Sequence, residues 1–336
     1  MRQVFPYRFM TRRHFVFRAA AAASLVSTLP APLARAAITL PEKTCFIGRE
    51  KFAAVAAKAQ AAGWGRLPMG ARMTAFGREL LGIPYVGFTL EIDDKIECPS
   101  VNFDGLDCWT FFETVLGLAR MVETPKTEYT WRDLLAEIEW TRYRGGKCTG
   151  GYLERIHYLD EWFFDNFARQ NVWDLTKRLP GAERLRGRKS TEMTTLWKSY
   201  RYLRENPALR KPMRESEQEV EKLPVYYIPK AKVRAMEAKL QDGDIIGIVT
   251  RDQGGVCSHV GLAARDKEGT LRFIHASKNH KAVVVDSQLA VYLDRFRSHA
   301  GIMAGRPLPV RYTIRDEKTY LARLDRLKAG RPPAAA

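Results

Sequence analysis

Residues 258–277 read SHVGLAARDKEGTLRFIHAS, and this stretch guides the interpretation of the rest of the chain. Two runs rich in β-branched and aromatic residues flank the turn-forming segment 266–269, which predicts an antiparallel hairpin with His259 on one strand and His275 on the other. Side chains alternate between the faces of a strand, so a four-residue loop would direct the two imidazoles to opposite faces. A loop of three or five residues, or one bulge, would place them on one face with Cβ atoms about 5 Å apart. We expect an odd loop or a bulge here.

A cysteine at the start of a predicted helix supplies the chemistry that such histidines could serve. Residues 103–113, FDGLDCWTFFE, place Cys108 at the first turn of a helix predicted for 108–121, with Asp107 as its N-cap. An imidazole and a helix N-terminus favour the thiolate, which attacks acyl carbons. We therefore predict Cys108 as nucleophile, His259 as base and His275 as the group that fixes the tautomer of His259. A thiolate–imidazolium pair and its pH–rate profile follow from these roles.

Three further residues are candidates for the substrate and oxyanion site. Tyr85 could place a hydroxyl near the thiolate, although a packed tyrosine after a Pro turn fits its spacing equally well. Asp107 and Ser258 flank the site and could bind polar groups of the substrate, but capping and turn roles fit both of them better. The backbone N–H of Cys108 is the expected oxyanion donor.

The N-terminal 36 residues have the composition of an export signal. They carry six arginines and no acid, and the segment 11–16, TRRHFV, leads into an apolar stretch that ends near a small-residue cleavage site. This pattern predicts twin-arginine export to the periplasm, with an uncleaved membrane anchor as the alternative. No later segment approaches the roughly 20 apolar residues that span a bilayer. Removing the signal lowers the formal net charge from +17 to +11, so the mature protein stays basic and suits an anionic partner.

All five cysteines lie after this signal. An odd number in an oxidising compartment leaves at least one unpaired thiol, for which Cys108 is the candidate. The other four could form no, one or two disulfides, and the sequence does not choose among these: Cys45, Cys98, Cys148 and Cys257. Without a CxxC spacing we expect no structural metal and no cofactor, although one thiolate and two imidazoles could in principle bind zinc.

The remaining pattern divides the mature chain into one domain, 37–315, and a peripheral tail, 316–336. A helical insertion at about 123–229 enlarges the domain, and its aromatic residues and His157 fit a packed core better than a binding groove. The further predicted helices are 50–62, 69–81, 134–142, 152–167 and 192–205. The predicted strands are 86–92, 244–250, 258–265, 270–276 and 281–286, the last four as an antiparallel meander.

Five short motifs, in this order, resemble those of the NlpC-type, papain-like cell-wall hydrolases: Pro84-Tyr85, Asp107-Cys108, Gly243-Asp244, His259-Val260-Gly261 and His275-Ala276-Ser277. The segments DCWTFFETVLGLAR, YRGG, RIHYLDEW, LPVYYIPK and GDIIGIVT are similar, more closely, to those of the N-acetylmuramoyl-L-alanine amidase-like family. The resemblance implies an α+β, papain-like fold with a helical lobe packed on an antiparallel sheet. It also implies amide hydrolysis on peptidoglycan stem peptides. Trp109 and Thr110 depart from the Ser-Gly that usually follows the cysteine in the wider superfamily.

The resulting hypothesis is an exported cysteine amidase that acts on peptidoglycan or muropeptides. One alternative uses the same thiol to cut the γ-D-glutamyl-diaminopimelate bond. A second alternative is a non-catalytic envelope-binding module in which Cys108 is structural. Nucleic acid is not an expected partner, because an exported protein meets envelope polymers instead.

Overall fold

The structure is a computed structural model that describes residues 40–93, 95–252 and 254–333. Its α-helices are Glu42–Cys45, Arg49–Ala61, Met69–Glu79, Cys108–Met121, Trp131–Arg142, Leu159–Ala168, Glu192–Thr195, Arg201–Glu205, Arg210–Glu221, Lys230–Met236, Leu289–Asp294 and Glu317–Lys328. Its strands are β1 (Phe46–Ile47), β2 (Val101–Asn102), β3 (Val172–Asp174), β4 (Glu183–Arg184), β5 (Tyr226–Pro229), β6 (Ile245–Thr250), β7 (Cys257–Arg265), β8 (Leu271–Ser277), β9 (Ala282–Gln288) and β10 (His299–Pro307). The predicted signal peptide, 1–36, lies outside the described residues.

An antiparallel sheet forms the centre of the molecule, with strand order β4-β5-β10-β6-β7-β8-β9 and with β3 paired to β10. The four predicted strands are confirmed as β6 to β9, and they form the predicted meander. The sequence interpretation missed β10, which lies between β5 and β6 and joins the meander to the preceding part of the chain. The mixture of helices and sheet confirms the α+β class.

The helix Cys108–Met121, which has the predicted bounds, packs on β7 and β8. Its buried face includes Phe111 and Leu118, which share one apolar cluster with Val260, Leu262 and Ile274 of the sheet. This helix is buried along nearly its whole length, which makes it a rigid support for Cys108 at its N-terminus.

A second apolar cluster covers the opposite face of the sheet, where Ile246, Ala263 and Phe273 pack under the helices Lys230–Met236 and Leu289–Asp294. Consecutive residues of β7 and β8 therefore serve different cores, as the alternation of side chains along a strand requires. This sorting matters because His259 and His275 belong to the face that carries Phe273.

Several predicted elements differ from the observed ones. The predicted strand 86–92 is wrong: the stretch forms turns, Phe88 adopts a positive φ of 62°, and no strand in the described part of the chain pairs with it. The predicted helix 152–167 begins only at Leu159, and the extended segment before it carries His157. The predicted helix 192–205 is divided by a turn into Glu192–Thr195 and Arg201–Glu205.

The region 123–229 contributes β3, β4 and β5 to the sheet in addition to its helices. The tail helix Glu317–Lys328 packs on the helix Leu159–Ala168, where the Tyr320 hydroxyl donates to Asp165 at 2.7 Å. Within the described part of the chain, no helix is long and apolar enough to cross a membrane.

Candidate active site

The hairpin of β7 and β8 has a five-residue loop, since Arg265 pairs with Leu271. This is one of the odd loops that we expected, and it places His259 and His275 on the same face of the sheet. They are diagonal neighbours, however, because the register pairs Leu262 with Ile274. The ring centroids lie 4.8 Å apart with the ring planes perpendicular. The Cβ atoms of diagonal neighbours are too far apart for direct contact, but the imidazole side chains are long enough to meet.

Gly261, in the HVG motif, makes this arrangement possible. A Cβ atom there would lie 2.7 Å from the Phe273 ring and 2.5 Å from the carbonyl oxygen of Ile274. The absence of a side chain lets the Phe273 ring stack on His275, with centroids 4.7 Å apart, and contact His259 edge-on. The glycine thus opens the space in which the two imidazoles and the phenyl ring pack together.

A β-bulge at the start of β7 directs His259. In the pairing with β6, Ile248 is the ladder partner of His259 and Val249 is the partner of Cys257, so the register shifts between them. Ser258 is the extra residue, so Cys257 and His259 lie on opposite faces although they are two residues apart. Bulges are frequent beside active sites because they re-aim one side chain without disturbing the rest of the strand.

His259 begins a chain of polar contacts that runs into the sheet. Its Nε2 lies 2.7 Å from Nδ1 of His275, and Nε2 of His275 lies 3.3 Å from Oδ2 of Asp286. The other carboxylate oxygen of Asp286 accepts a hydrogen bond of 2.7 Å from Nη1 of Arg295. The sequence interpretation missed Asp286 and Arg295. Part of the signal for Asp286 was available in the sequence. Asp286 is the last residue of a predicted strand, two residues after Val284, which is the ladder partner of His275.

This chain fixes the tautomers of both imidazoles. A carboxylate only accepts, so Nε2 of His275 carries a proton, and in the neutral ring Nδ1 must then accept. The proton between the rings therefore belongs to Nε2 of His259. It follows that Nδ1 of His259 has a free lone pair and can act as a base.

Burial keeps both imidazoles neutral. It lowers the pKa of His275 to about 4, more than the neighbouring Asp286 raises it. Burial also lowers the pKa of His259 well below its usual range, with a further contribution from His275. Although burial opposes ionisation of Asp286, hydrogen bonds from Ser287, His275 and Arg295 hold its pKa below the ordinary value. The carboxylate therefore keeps its charge beside two neutral rings.

Cys108 is the first residue of its helix, and a capping box holds that end. Oδ1 of Asp107 accepts from the Thr110 amide and hydroxyl, both at 2.8 Å, while the Asp107 amide donates to the Thr110 hydroxyl at 3.0 Å. The Thr110 that departs from the wider superfamily pattern therefore builds the cap. Asp107 also accepts from the Thr89 amide through its other oxygen. These contacts give the aspartate the capping role that we considered more fitting.

The environment of Cys108 favours the neutral thiol. Burial raises its pKa to about 12, and the negative charge of Asp107 contributes to the increase. Hydrogen bonds from the amides of Val260, Trp109 and Cys108 act in the opposite direction. Among the described residues, no hydrogen bond joins the sulfur to the His259 ring. Burial disfavours both charges of the expected thiolate–imidazolium pair in the free protein, and that pair stays a prediction.

A cavity of about 730 Å³ brings the predicted site residues together. Cys108, His259, Tyr85, Asp107 and Ser258 all line it. The buried His275 stands behind His259 and does not line the cavity. Thus the Cys108 thiol and the His259 imidazole line the same cleft, with His275 and Asp286 behind His259.

Backbone hydrogen bonds hold Tyr85 beside the start of the Cys108 helix. Leu106 donates to the carbonyl of Pro84 at 3.0 Å, and Val86 donates back to Leu106 at 3.1 Å. Burial, with the nearby Cys108 and Asp107, raises the pKa of Tyr85 to about 12, so its hydroxyl stays protonated and available as a donor. Ser258 is exposed at the bulge.

All five cysteines are free thiols in the structure. Cys257 also lines the cavity, with its sulfur 3.8 Å from that of Met303. Any labelling experiment must therefore distinguish two thiols in one cleft. No group of three or more His, Cys, Asp or Glu side chains in the described segments has the arrangement of a metal site.

Comparison with known proteins identifies the family. The family described as N-acetylmuramoyl-L-alanine amidase-like matches residues 75–302, a range that includes Cys108, His259 and His275. The chain belongs to this amidase-like family. Family membership indicates a peptidoglycan hydrolase that acts outside the cytoplasm.

Solved structures agree with this placement. An N-acetylmuramoyl-L-alanine amidase from Bacteroides uniformis shares 32% identity, covers 71% of this chain and 99% of its own, and has a TM-score of 0.64. A Bacteroides fragilis protein named as a candidate xylanase shares 31% identity over 69% of this chain and 99% of its own, with a TM-score of 0.61. Protein LPG0564 from Legionella pneumophila, at 20% identity, covers 78% of this chain and 94% of its own with a TM-score of 0.59, which shows a common fold. Among curated proteins there is no significant match.

Proposed function

We propose that this member of the amidase-like family is a periplasmic cysteine amidase of the NlpC-type, papain-like class. It hydrolyses the lactyl amide between N-acetylmuramic acid and L-alanine in peptidoglycan. The observation that carries the proposal is the tautomer chain from Asp286 through His275 to His259, because it leaves Nδ1 of His259 free to act as a base, and His259 lines the cavity that holds Cys108.

The reaction begins when the Cys108 thiol passes its proton to Nδ1 of His259 as the sulfur attacks the lactyl carbonyl carbon. The backbone amide of Cys108 lies in the first turn of its helix, where no helix carbonyl accepts from it, and it donates to the developing oxyanion. Collapse of this intermediate breaks the C–N bond, and His259 returns the proton to the departing L-alanine nitrogen. Water, with His259 again as base, then hydrolyses the muramoyl thioester to the free acid and restores the thiol.

Asp286 contributes to the same steps without touching the substrate. Each step passes through an imidazolium at His259, which burial alone would make costly. The charge of Asp286 raises the pKa of both imidazoles, so it stabilises the imidazolium that forms in the transition state. Arg295 in turn holds the carboxylate in place. Asp286 is therefore a positioning and electrostatic residue behind the catalytic pair.

The same thiol and base could instead cut the γ-D-glutamyl-diaminopimelate bond. Digestion of defined muropeptides followed by mass spectrometry separates the two activities. Free amino sugar together with an intact stem peptide supports the amidase, whereas release of a product that ends in L-Ala-D-Glu supports the endopeptidase. If Cys108 only had a structural role, neither product would form.

Export by the twin-arginine route remains part of the proposal, since it rests on the sequence of residues 1–36. A fusion of these residues to a reporter that folds only in the cytoplasm tests the route. We expect export that depends on Arg12 and Arg13, and export that persists after both become lysine would contradict it.

A further inference from the structure

Phe88 has a conformation and an exposure that the fold does not explain. Its φ is 62°, in the left-handed region that is costly for a bulky side chain, and its side chain is 58% exposed. Gln170 and Lys281, the other described non-glycine residues with positive φ, are polar. The backbone strain opposes folding, and more than half of the phenyl surface is left in water. Such a combination is typical of a residue retained for binding.

The Phe88 ring belongs to the wall of the Cys108 cavity and has an aromatic partner there. It meets Tyr200 edge to face, with centroids 6.0 Å apart and an interplanar angle of 81°. The Tyr200 hydroxyl donates to Oε1 of Glu192 at 2.9 Å. All three residues line the cavity together with Cys108. Phe88 comes from the loop before the Cys108 helix, whereas Glu192 and Tyr200 come from the region 123–229.

The charges around this group favour a neutral ligand. Of the other acids in the cavity wall, Glu91 pairs with Arg155 at 2.6 Å, and Asp160 pairs with Arg188. Asp107 caps the Cys108 helix, and Asp252 is exposed to solvent. Glu192 instead has a tyrosine hydroxyl as its partner, so its carboxylate can accept further hydrogen bonds from hydroxyl groups. The carboxylates of a stem peptide would be repelled here, and Lys278 offers them a cation elsewhere in the cavity wall.

We infer that Phe88, Tyr200 and Glu192 form a subsite for the N-acetylated sugar ring of the substrate. The apolar C–H face of the ring packs on the aromatic pair, and a sugar hydroxyl donates to the Glu192 carboxylate. The inference rests on the proposed function, because cleavage at the lactyl amide requires the sugar to lie on one side of Cys108. It also gives the region 123–229 a role: it supplies two of the three sugar contacts.

Two substrates with the same scissile bond test the subsite. N-acetylmuramoyl-tripeptide carries the sugar ring, whereas N-lactoyl-tripeptide has the same amide without it. We expect Phe88→Ala to lower kcat/KM about tenfold on the first substrate, mainly through KM, and to leave the second unchanged. Equal losses on both substrates, or no loss on either, would overturn the subsite.

Stability measurements separate binding from folding. Phe88→Gly removes the ring and relieves the positive φ, so we expect an unchanged or higher Tm together with the same selective loss of activity. Tyr312→Ala is the matched control, because Tyr312 is an aromatic residue that is 50% exposed and lies outside the cavity lining. It should leave both substrates unaffected. A fall in Tm for Phe88→Gly would show that the ring serves the fold instead.

A binding experiment makes the two proposals fail separately. Calorimetric titration of the Cys108→Ala protein with the disaccharide GlcNAc-MurNAc, which lacks a peptide, should show binding that Phe88→Ala weakens about tenfold. If this dependence holds but the native protein does not cut the lactyl amide, the proposed function fails and the subsite stands. If the protein cuts the amide but the disaccharide does not bind, or binds equally to both variants, the subsite alone fails.

Discussion

Nδ1 of His275 lies 2.7 Å from Nε2 of His259, although the two residues are diagonal neighbours in the sheet and not direct partners. The contact therefore depends on the five-residue loop, on the space above Gly261 and on the bulge at Ser258. Because each of these features is local, the polar chain behind the thiol can be tested one part at a time.

Removal of the two imidazoles should have unequal effects. His259→Ala removes the base, and we expect kcat to fall by about 10²- to 10⁴-fold. His275→Ala keeps the base but no longer fixes the tautomer of His259, so we expect kcat to fall by about 10- to 100-fold. Initial rates on a defined muropeptide measure both effects. A His275→Ala loss equal to that of His259→Ala would mean that the buried histidine does more than orient its neighbour.

Two substitutions of Asp286 separate its charge from its hydrogen bond. Asp286→Asn keeps an acceptor for Nε2 of His275, whereas Asp286→Leu keeps neither acceptor nor charge. We expect kcat to fall about 3- to 10-fold in the first variant and about 10- to 100-fold in the second. Asp294→Asn, which changes an exposed acid on the neighbouring helix, is the control and should retain full activity.

The pH dependence of Asp286→Asn has a definite sign. The negative charge raises the pKa of both imidazoles, so its loss lowers them further. Activity requires neutral His259, whose pKa burial lowers, so the rising limb of kcat/KM should move to still lower pH in this variant. A pH–rate profile from pH 4 to pH 8 measures the limb. A shift of the limb to higher pH would contradict the assigned role.

Alkylation of Cys108 reports the ionisation of the free protein. With a thiol pKa of about 12, the rate with iodoacetamide should rise about tenfold per pH unit between pH 7 and pH 10. Mapping of the labelled peptides distinguishes Cys108 from Cys257, and Cys108→Ser supplies the control. A rate that is already at its plateau near pH 7 would instead indicate a thiolate–imidazolium pair.

The stability contribution of Gly261 can be measured directly. Gly261→Ala would force a Cβ atom against the Phe273 ring and the Ile274 carbonyl, so we expect the free energy of unfolding to fall by about 1–3 kcal/mol. Gly87→Ala is the control, because a Cβ atom there has no neighbour within 4 Å. Chemical denaturation of both variants tests this, and equal stability of the two would show that the hairpin can relax around the methyl group.

Much of the site could be predicted because its elements are local. The Cys108 helix combines an N-cap, a helical apolar period and a fixed first turn, and the His259 and His275 strands flank a recognisable turn. Those signals lie within about 20 residues of sequence. The odd loop was expected because the roles of His259 and His275 require one sheet face, and the five-residue loop agrees with that expectation. The diagonal register was not predicted, since a five-residue loop fixes the shared face without fixing direct opposition.

The parts that escaped prediction depend on contacts distant in sequence. β10 is central because β5 and β6 lie on either side of it, and nothing within His299–Pro307 indicates those partners. Residues 86–92 include strand-forming types, but within the described segments no strand pairs with them, and they form turns. Asp286 becomes part of the site only through the pairing of β8 with β9, which shifts register beside it.

The covalent intermediate on Cys108 tests the central claim most directly. The native protein would be mixed with N-acetylmuramoyl-tripeptide, quenched in acid within the first turnover, and examined by intact mass and peptide mapping. We predict a muramoyl thioester on Cys108 together with release of a tripeptide that has a free L-alanine amine, and neither product with Cys108→Ala. An adduct that contains L-Ala-D-Glu, an adduct on Cys257, or hydrolysis by Cys108→Ala at the native rate would contradict the account.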